Sequence, residues 1–285
     1  CLVHNPPMQV TGILAPRRHL LGAITLTLAA LFQPACAQNM NDDVLVQMKQ
    51  AFQRGDKSRL AALLPQARGH ALEPWAAYWE LKARLNEASP LEVQDFLARY
   101  AGTYQEDRLR NDWLLLLGQR RDWDGFATLY PGFRMRDDLQ VACYATLGDV
   151  LKSGTATKEQ IELVRDNWLR QRDADDGCLT AADRLIAARL LSPDVAWKKA
   201  RLAIEASRPQ AARAAITLAA PDALPTFDQV NASAAKFLGG AVMAASRARK
   251  EMVVLALIKV AMADPDQAAG QLEGKWAPML SAEER

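Results

Sequence analysis

The chain has 285 residues, half of them apolar, with 35 basic and 33 acidic side chains, four cysteines and only three histidines. Charge this evenly balanced argues against non-specific binding to nucleic acid or to an anionic membrane surface, and so few histidines leave little for a zinc centre or a histidine-dependent triad. The apolar half suffices for a sizeable core, arranged as one elongated domain or two compact ones.

Residues 1–37 read as a secretory signal. Arg17, Arg18 and His19 precede an uncharged apolar run from Leu20 to Phe32, and Ala35 and Ala37 stand in the small-x-small arrangement that a signal peptidase cuts. A membrane-spanning helix needs about 20 residues, more than this run supplies, so cleavage near Gln38 and work outside the cytoplasm are expected. Residue 1 is Cys, while Met8 would open a signal of ordinary length. Two other readings fit less well. Cys36 as a lipid-attachment residue has Gln33, not Leu, three positions before it, and the flanks of Arg17-Arg18 suit a twin-arginine signal poorly. Cleavage removes two of the 35 basic residues and none of the 33 acidic ones, leaving a neutral chain whose sole histidine is His70, in the turn-like stretch Arg-Gly-His-Ala.

From residue 40 onward the apolar pattern is helical. Asn41 is placed to cap a helix through Val44, Leu45, Met48 and Phe52, stopped by Gly55. A short helix is expected over Lys57–Leu64, before Pro65, and another over Glu73–Leu85, carrying Trp75, Tyr78, Trp79 and Leu81. Ser89-Pro90-Leu91-Glu92 is a capping box with proline at the first helical position, opening a helix to about Arg99. Helices follow at Thr103–Gln119, Trp123–Leu129, Asp138–Lys152, Lys158–Arg170, Leu179–Leu190, Val195–Ala206, Pro209–Leu218, Ala232–Ala245 and Lys250–Ala263. No segment alternates with period two between hairpin turns, so no strands are expected. Amphipathic helices this short cannot bury their apolar faces alone. Stacked antiparallel pairs can, which makes the chain an all-α curved superhelix, or solenoid, over residues 38–285. Pro221 to Thr226 is the best candidate hinge. Trp75, Tyr78 and Trp79 resemble the packing positions of tetratricopeptide (TPR) repeats, although the period of about 34 residues is not sustained, so the fold is expected to be TPR-like in architecture only. Alanine replaces aromatic residues after about position 200, which predicts closer helix packing there.

Sites of known chemistry are sparse. Neither phosphate-loop motif is present, nor Cys-x-x-Cys, and no cofactor is expected. The pairs Asp42-Asp43, Asp137-Asp138 and Asp175-Asp176 suit helix N-termini, where the macrodipole favours acids, better than a glycosidase-like carboxylate pair. Cys143 and Cys178, 35 residues apart, are a disulfide candidate in an exported chain; two buried thiols are the alternative. The aromatic group Trp75, Tyr78, Trp79, Tyr100, Tyr104, Trp113, Trp123 and Tyr130 has two readings. The spacing of Trp75, Tyr78 and Trp79 is that of a buried helix face, while aromatic faces also stack on sugar rings. Core packing is the favoured reading, with Trp75, Tyr78 and Trp79 as the glycan-stacking candidates.

Several segments carry a resemblance. Leu72-Glu-Pro-Trp-Ala-Ala-Tyr-Trp-Glu-Leu81, Phe96-Leu-Ala-Arg-Tyr100, Leu109-Arg-Asn-Asp-Trp-Leu114 and Arg120-Arg-Asp-Trp123 occur in an order similar to the N-terminal helical region of soluble lytic murein transglycosylases. Cys143 and Cys178 match the family's paired cysteines in position. The resemblance implies a periplasmic α-superhelix associated with cleavage of the bond between N-acetylmuramic acid and N-acetylglucosamine in peptidoglycan, without water, to a 1,6-anhydro product. It also implies glycan strands as the partner, with cell-wall synthesis or divisome proteins as further ones; the balanced charge and the short apolar run add the expectation of no nucleic acid and no membrane span. The family's Glu-Ser, Gly-Leu-Met-Gln and Ala-Tyr-Asn-Ala-Gly stretches do not occur here. No catalytic residue is therefore carried over, and Glu205, Glu273, Glu283 and Glu284 are expected to be surface glutamates. A free-standing periplasmic helical scaffold is the alternative.

Overall fold

The computed structural model describes residues 35–240 and 246–282. Nearly all of the secretory segment lies outside them, as do Glu283 and Glu284. Fifteen α-helices and no strand occur among the described residues, and none of those helices is long and apolar enough to cross a membrane.

Most helices begin where a side chain takes up an orphan N–H. Asp56 caps α2 (Lys57–Leu63), which tightens into a 3₁₀ turn at Leu64–Ala67 around Pro65. The predicted capping box opens α4 (Pro90–Arg99), with Ser89 and Glu92 exchanging hydrogen bonds. Thr103 caps α5 (Tyr104–Arg120), Asp122 caps α6 (Trp123–Leu129) and Asp138 caps α7 (Leu139–Ser153). Thr157 forms a second capping box at α8 (Lys158–Arg170). Between these lie α1 (Ala35–Gln53) and α3 (Glu73–Ala83).

Several boundaries differ from the sequence pattern. The first helix begins at Ala35 rather than at Asn41, because no glycine or proline interrupts residues 35–41. Helix α9 is Asp176–Ala187 rather than Leu179–Leu190, since Asp175 caps it by accepting from the Cys178 N–H. Next come α10 (Asp194–Glu205) and α11 (Pro209–Ala219). The segment read as a hinge is a 3₁₀ turn, Pro221–Ala223, running into α12 (Leu224–Ala232). Pro225 sits in the first turn of α12, where its missing N–H costs nothing. The helix expected over Ala232–Ala245 is the shorter α13 (Ala234–Gly239), and residues 241–245 lie outside the described ones. After α14 (Arg247–Ala261), an Asp264 cap and Pro265 open α15 (Pro265–Gln271), which ends in a π turn. The pattern analysis missed α12 and α15.

Helices α1, α3, α5, α7, α9 and α11 pack one on the next in that order, while α2, α4, α6 and α8 lie against their chain neighbours. The result is a two-layered superhelix. Its first part is filled by Leu97, Leu109, Leu114, Phe126 and Phe133. In its second part, Ala200, Ala203, Ala211, Ala212 and Ala215 are all buried where α10 and α11 pack against each other, the close approach that the alanine-rich stretch predicts.

The α5–α7–α9 junction is the tightest. A Cβ added to Gly118 on α5 would fall 2.4 Å from the Tyr144 ring on α7, so only glycine allows this approach. The Tyr144 hydroxyl donates to Asp176 on α9. Arg121, just past α5, grips the same carboxylate with bonds of 2.5 and 2.9 Å. Gln140 on α7 accepts from the N–H groups of Asp176 and Gly177 at 2.8 and 3.0 Å. Cys143 and Cys178 form a disulfide between α7 and α9.

Two tests follow from this junction. Gly118→Ala gains helix propensity of about 1 kcal/mol but meets a ring that Asp176 holds in place. Net destabilisation of about 1–3 kcal/mol is expected in urea unfolding; a neutral or stabilised variant would show that the approach is not constrained. Reducing the disulfide, which spans 35 residues, should cost up to about 4 kcal/mol, read as a lower unfolding midpoint with reductant than without.

Candidate functional site

Helix α3 starts with Glu73 and Pro74. The Glu73 carboxylate accepts the Gly69 N–H at 2.7 Å and the Tyr100 hydroxyl at 2.9 Å. That backbone bond, more than the other contacts, lowers its pKa and fixes the start of the helix. One turn on, Trp75, Tyr78 and Trp79 share a face but differ in exposure: Tyr78 is buried, and the two tryptophans are half-buried.

The Tyr78 hydroxyl donates to Asp112 on α5 at 2.8 Å, and Lys82 pairs with the other carboxylate oxygen at 2.7 Å. Arg108, one turn before Asp112, lies near enough to the Tyr78 phenol and to the same carboxylate for its charge to act on both. Burial, reinforced by the Asp112 charge, raises the Tyr78 pKa. Two cations thus face one carboxylate, and the cluster carries net positive charge.

Beside this cluster runs a row of rings. Phe52 on α1 stacks on Trp79 with centroids 6.4 Å apart, Trp79 stacks on Trp75 at 5.9 Å, and Trp75 meets Tyr104 on α5 at 5.8 Å. Tyr78 supports the row from beneath, edge-on to Trp75 at 5.8 Å. Phe52 is half-buried and Tyr104 is 54% exposed. Four rings from three helices therefore form a partly exposed aromatic strip. The sequence marked Trp75 and Trp79 as candidates together with Tyr78, which instead buries its ring and spends its hydroxyl on Asp112. It missed Phe52 as a partner, because that residue belongs to a distant helix. Of the remaining aromatic group, Trp113 is buried in the core.

The other candidates have structural partners. His70 accepts the Leu72 N–H at Nδ1 and meets Asp42 through Nε2, both at 2.9 Å, tying α1 to the turn before α3. Asp138 and Asp175 cap helices. Glu205 and Glu273 are exposed. Glu205 lines an open groove of about 860 Å³ beside α8, α10 and α14. Charges along that groove pair with one another, Arg201 with Glu251 at 2.6 Å and Arg247 with Asp194 at 2.7 Å. No cluster of His, Cys, Asp and Glu suited to a metal ion occurs among the described residues.

Layered helices with a lateral aromatic strip define a superhelical scaffold. No family model and no curated protein matches the chain, but solved structures do. The chain is similar to an inactive mutant of lytic transglycosylase Slt from Pseudomonas aeruginosa, at 26% identity and a TM-score of 0.50, over 85% of this chain and 39% of that one. The 70-kDa soluble lytic transglycosylase in complex with bulgecin A matches at 16% identity and 0.51, over 87% and 40%. The 70-kDa soluble lytic transglycosylase Slt70 from Escherichia coli matches at 16% identity and 0.54, over the same shares. The two matches at 16% identity bear on the fold alone. The resemblance read from the sequence is thus met by the superhelical region of the soluble lytic transglycosylases. The chain spans 39–40% of the length of these proteins.

Tyr78→Phe should keep the ring and remove one donor from Asp112, costing about 0.5–1.5 kcal/mol at neutral pH. Because the folded-state pKa is raised, the contribution of Tyr78 is present below the unfolded value of about 10 and is lost as pH rises beyond it. Urea unfolding at pH 7 and near pH 11 should therefore show the variant's deficit shrinking at the higher pH. A constant deficit would refute the coupling.

Proposed function

We propose that this chain is the non-catalytic superhelical part of a periplasmic lytic murein transglycosylase acting on the glycan strands of peptidoglycan. The observation that carries the reading is the similarity over 85% of the chain, at 26% identity, to the Pseudomonas aeruginosa enzyme. The secretory pattern of residues 1–37 and the absence of a membrane-length helix among the described residues support export to the periplasm. The architecture reads as TPR-like stacking of antiparallel helix pairs. On this reading, cleavage between N-acetylmuramic acid and N-acetylglucosamine, with formation of the 1,6-anhydro sugar, falls to a region outside this chain. Asp138 and Asp175 serve as caps, and Asp112, Asp194 and Glu251 are held in ion pairs.

The test joins genetics to product analysis. The gene is sequenced past the codon for Arg285, and the whole gene product and this chain alone are each incubated with purified sacculi. The whole product is expected to release 1,6-anhydro-muropeptides, and this chain alone none. Release by this chain alone would overturn the non-catalytic assignment, and an inactive whole product would overturn the family reaction.

A further inference from the structure

From residue 38 onward His70 is the only histidine in the sequence, and the structure uses every polar group it has. Its N–H donates to the Ala67 carbonyl at 3.2 Å, and its carbonyl accepts the Glu73 N–H at 2.9 Å. The ring is 11% exposed. Its Nδ1 accepts the Leu72 N–H at 2.9 Å, and its Nε2 lies 2.9 Å from the Asp42 carboxylate on α1. A backbone N–H can only donate, so Nδ1 carries no proton. The neutral ring therefore holds its proton on Nε2, where it donates to Asp42. Leu72 is the N-cap residue of α3 and supplies no side-chain cap, so the His70 ring takes up an N–H at that helix start.

Imidazole is the side chain whose charge changes between about pH 5 and 8. A second proton has to enter at Nδ1, where the Leu72 N–H already points, and two donors cannot face each other there. The same proton turns the Nε2–H bond to Asp42 into a charge-assisted one. We propose that His70 is a proton-operated latch: on acidification it releases the Leu72 N–H at the start of α3 and tightens its hold on Asp42 of α1. The charged groups at this corner are Asp42 and the adjacent, exposed Asp43 on α1, Arg68 in the turn, and Glu73 on α3, on which Arg68 and Arg99 act. The Gly69 N–H, more than its other contacts, lowers the Glu73 pKa, so Glu73 stays ionised over this range and goes on holding the helix start when His70 lets go. The first turn of α3 thus loosens at Leu72 without unfolding, while α1 is held more firmly. The latch acts whatever the superhelix binds.

The test follows the full chain by nuclear magnetic resonance from pH 8 to pH 5. His70→Asn is the control, because the Asn side-chain oxygen stands near the Nδ1 position and accepts an N–H without titrating. At pH 8 the ring nitrogen shifts of the parent are expected to show a protonated Nε2 and a bare Nδ1. Towards pH 5 both nitrogens become protonated and the Leu72 amide shift moves in step. Hydrogen exchange at Leu72, corrected for the pH dependence of free amides, rises about three- to tenfold. In His70→Asn the Leu72 amide stays where it is throughout. Asp42→Asn should move the ring's titration to lower pH and leave the Leu72 bond intact at pH 8. The latch is overturned by a mixture of tautomers at pH 8, by a ring still neutral at pH 5, or by a Leu72 amide that ignores the ring's titration. An equal amide shift in His70→Asn, or an unmoved titration in Asp42→Asn, overturns it as well. The parent's own titration decides even if a variant fails to fold.

Discussion

Helix α5 holds this structure in register because it buries polar groups that need partners elsewhere. Glu106, Asp107, Asn111 and Asp112 are all buried, and together they reach three other parts of the fold. Asp112 takes the Tyr78 hydroxyl and the Lys82 ammonium from α3. Asp107 accepts the N–H groups of Arg134 and Met135, and Glu106 pairs with Arg110 and Arg134. Asn111 donates to Asp138, which in turn caps α7. A charge buried without its partner costs about 3–5 kcal/mol, so α3, the 133–138 segment and α7 cannot slide along α5 independently. The aromatic strip depends on this arrangement. Trp75, Tyr78 and Trp79 share one face of α3, and the Tyr78 hydroxyl ties that face to Asp112 on α5.

The second part of the superhelix uses different means. Small residues let α10 and α11 approach closely, so dispersion between backbones does work that large side chains do earlier. Lys199 crosses from α10 to donate to the Trp168 carbonyl at 2.7 Å and to that of Gln171. These carbonyls close α8, where the helix dipole favours a cation. Burial lowers the Lys199 pKa, yet the carbonyls give the ammonium the partners that a buried donor requires. One residue therefore ends α8 and joins it to α10.

Caps made much of this fold legible in the sequence. The Ser89–Glu92 capping box announced α4 because its hydrogen bonds are local; Thr103 and Asp138, read as first helical residues, and Thr157, not read, are caps in the structure, whereas Asn41, read as a cap, lies inside α1. Errors arose where one residue type serves two purposes. Helix α12 was missed because Pro225, in a first helical turn, is as compatible with a helix as with a break. Asp264-Pro265 carried the same start signal as Ser89-Pro90 and was passed over. The strip was half legible: the spacing of Trp75 and Trp79 is intrinsic to one helix, whereas Phe52 and Tyr104 join them only after α1, α3 and α5 have packed. The polar face of α5 was the least legible, since buried acids in a helix look the same in sequence as solvated ones.

Arg121 has the left-handed backbone, φ 60°, that usually selects glycine at a helix end. Its guanidinium lies over the Tyr144 ring, 5.9 Å from the centroid, besides holding Asp176. Glycine would relieve roughly 1 kcal/mol of backbone strain, an amount similar to what a partly exposed ion pair contributes. Position 121 is therefore close to neutral for the stability of α5 itself but not for how α5 and α9 are joined. Drift towards glycine there would leave each helix intact and loosen the angle between α5 and α9, so the curvature of the superhelix is open to evolutionary tuning at a single surface residue.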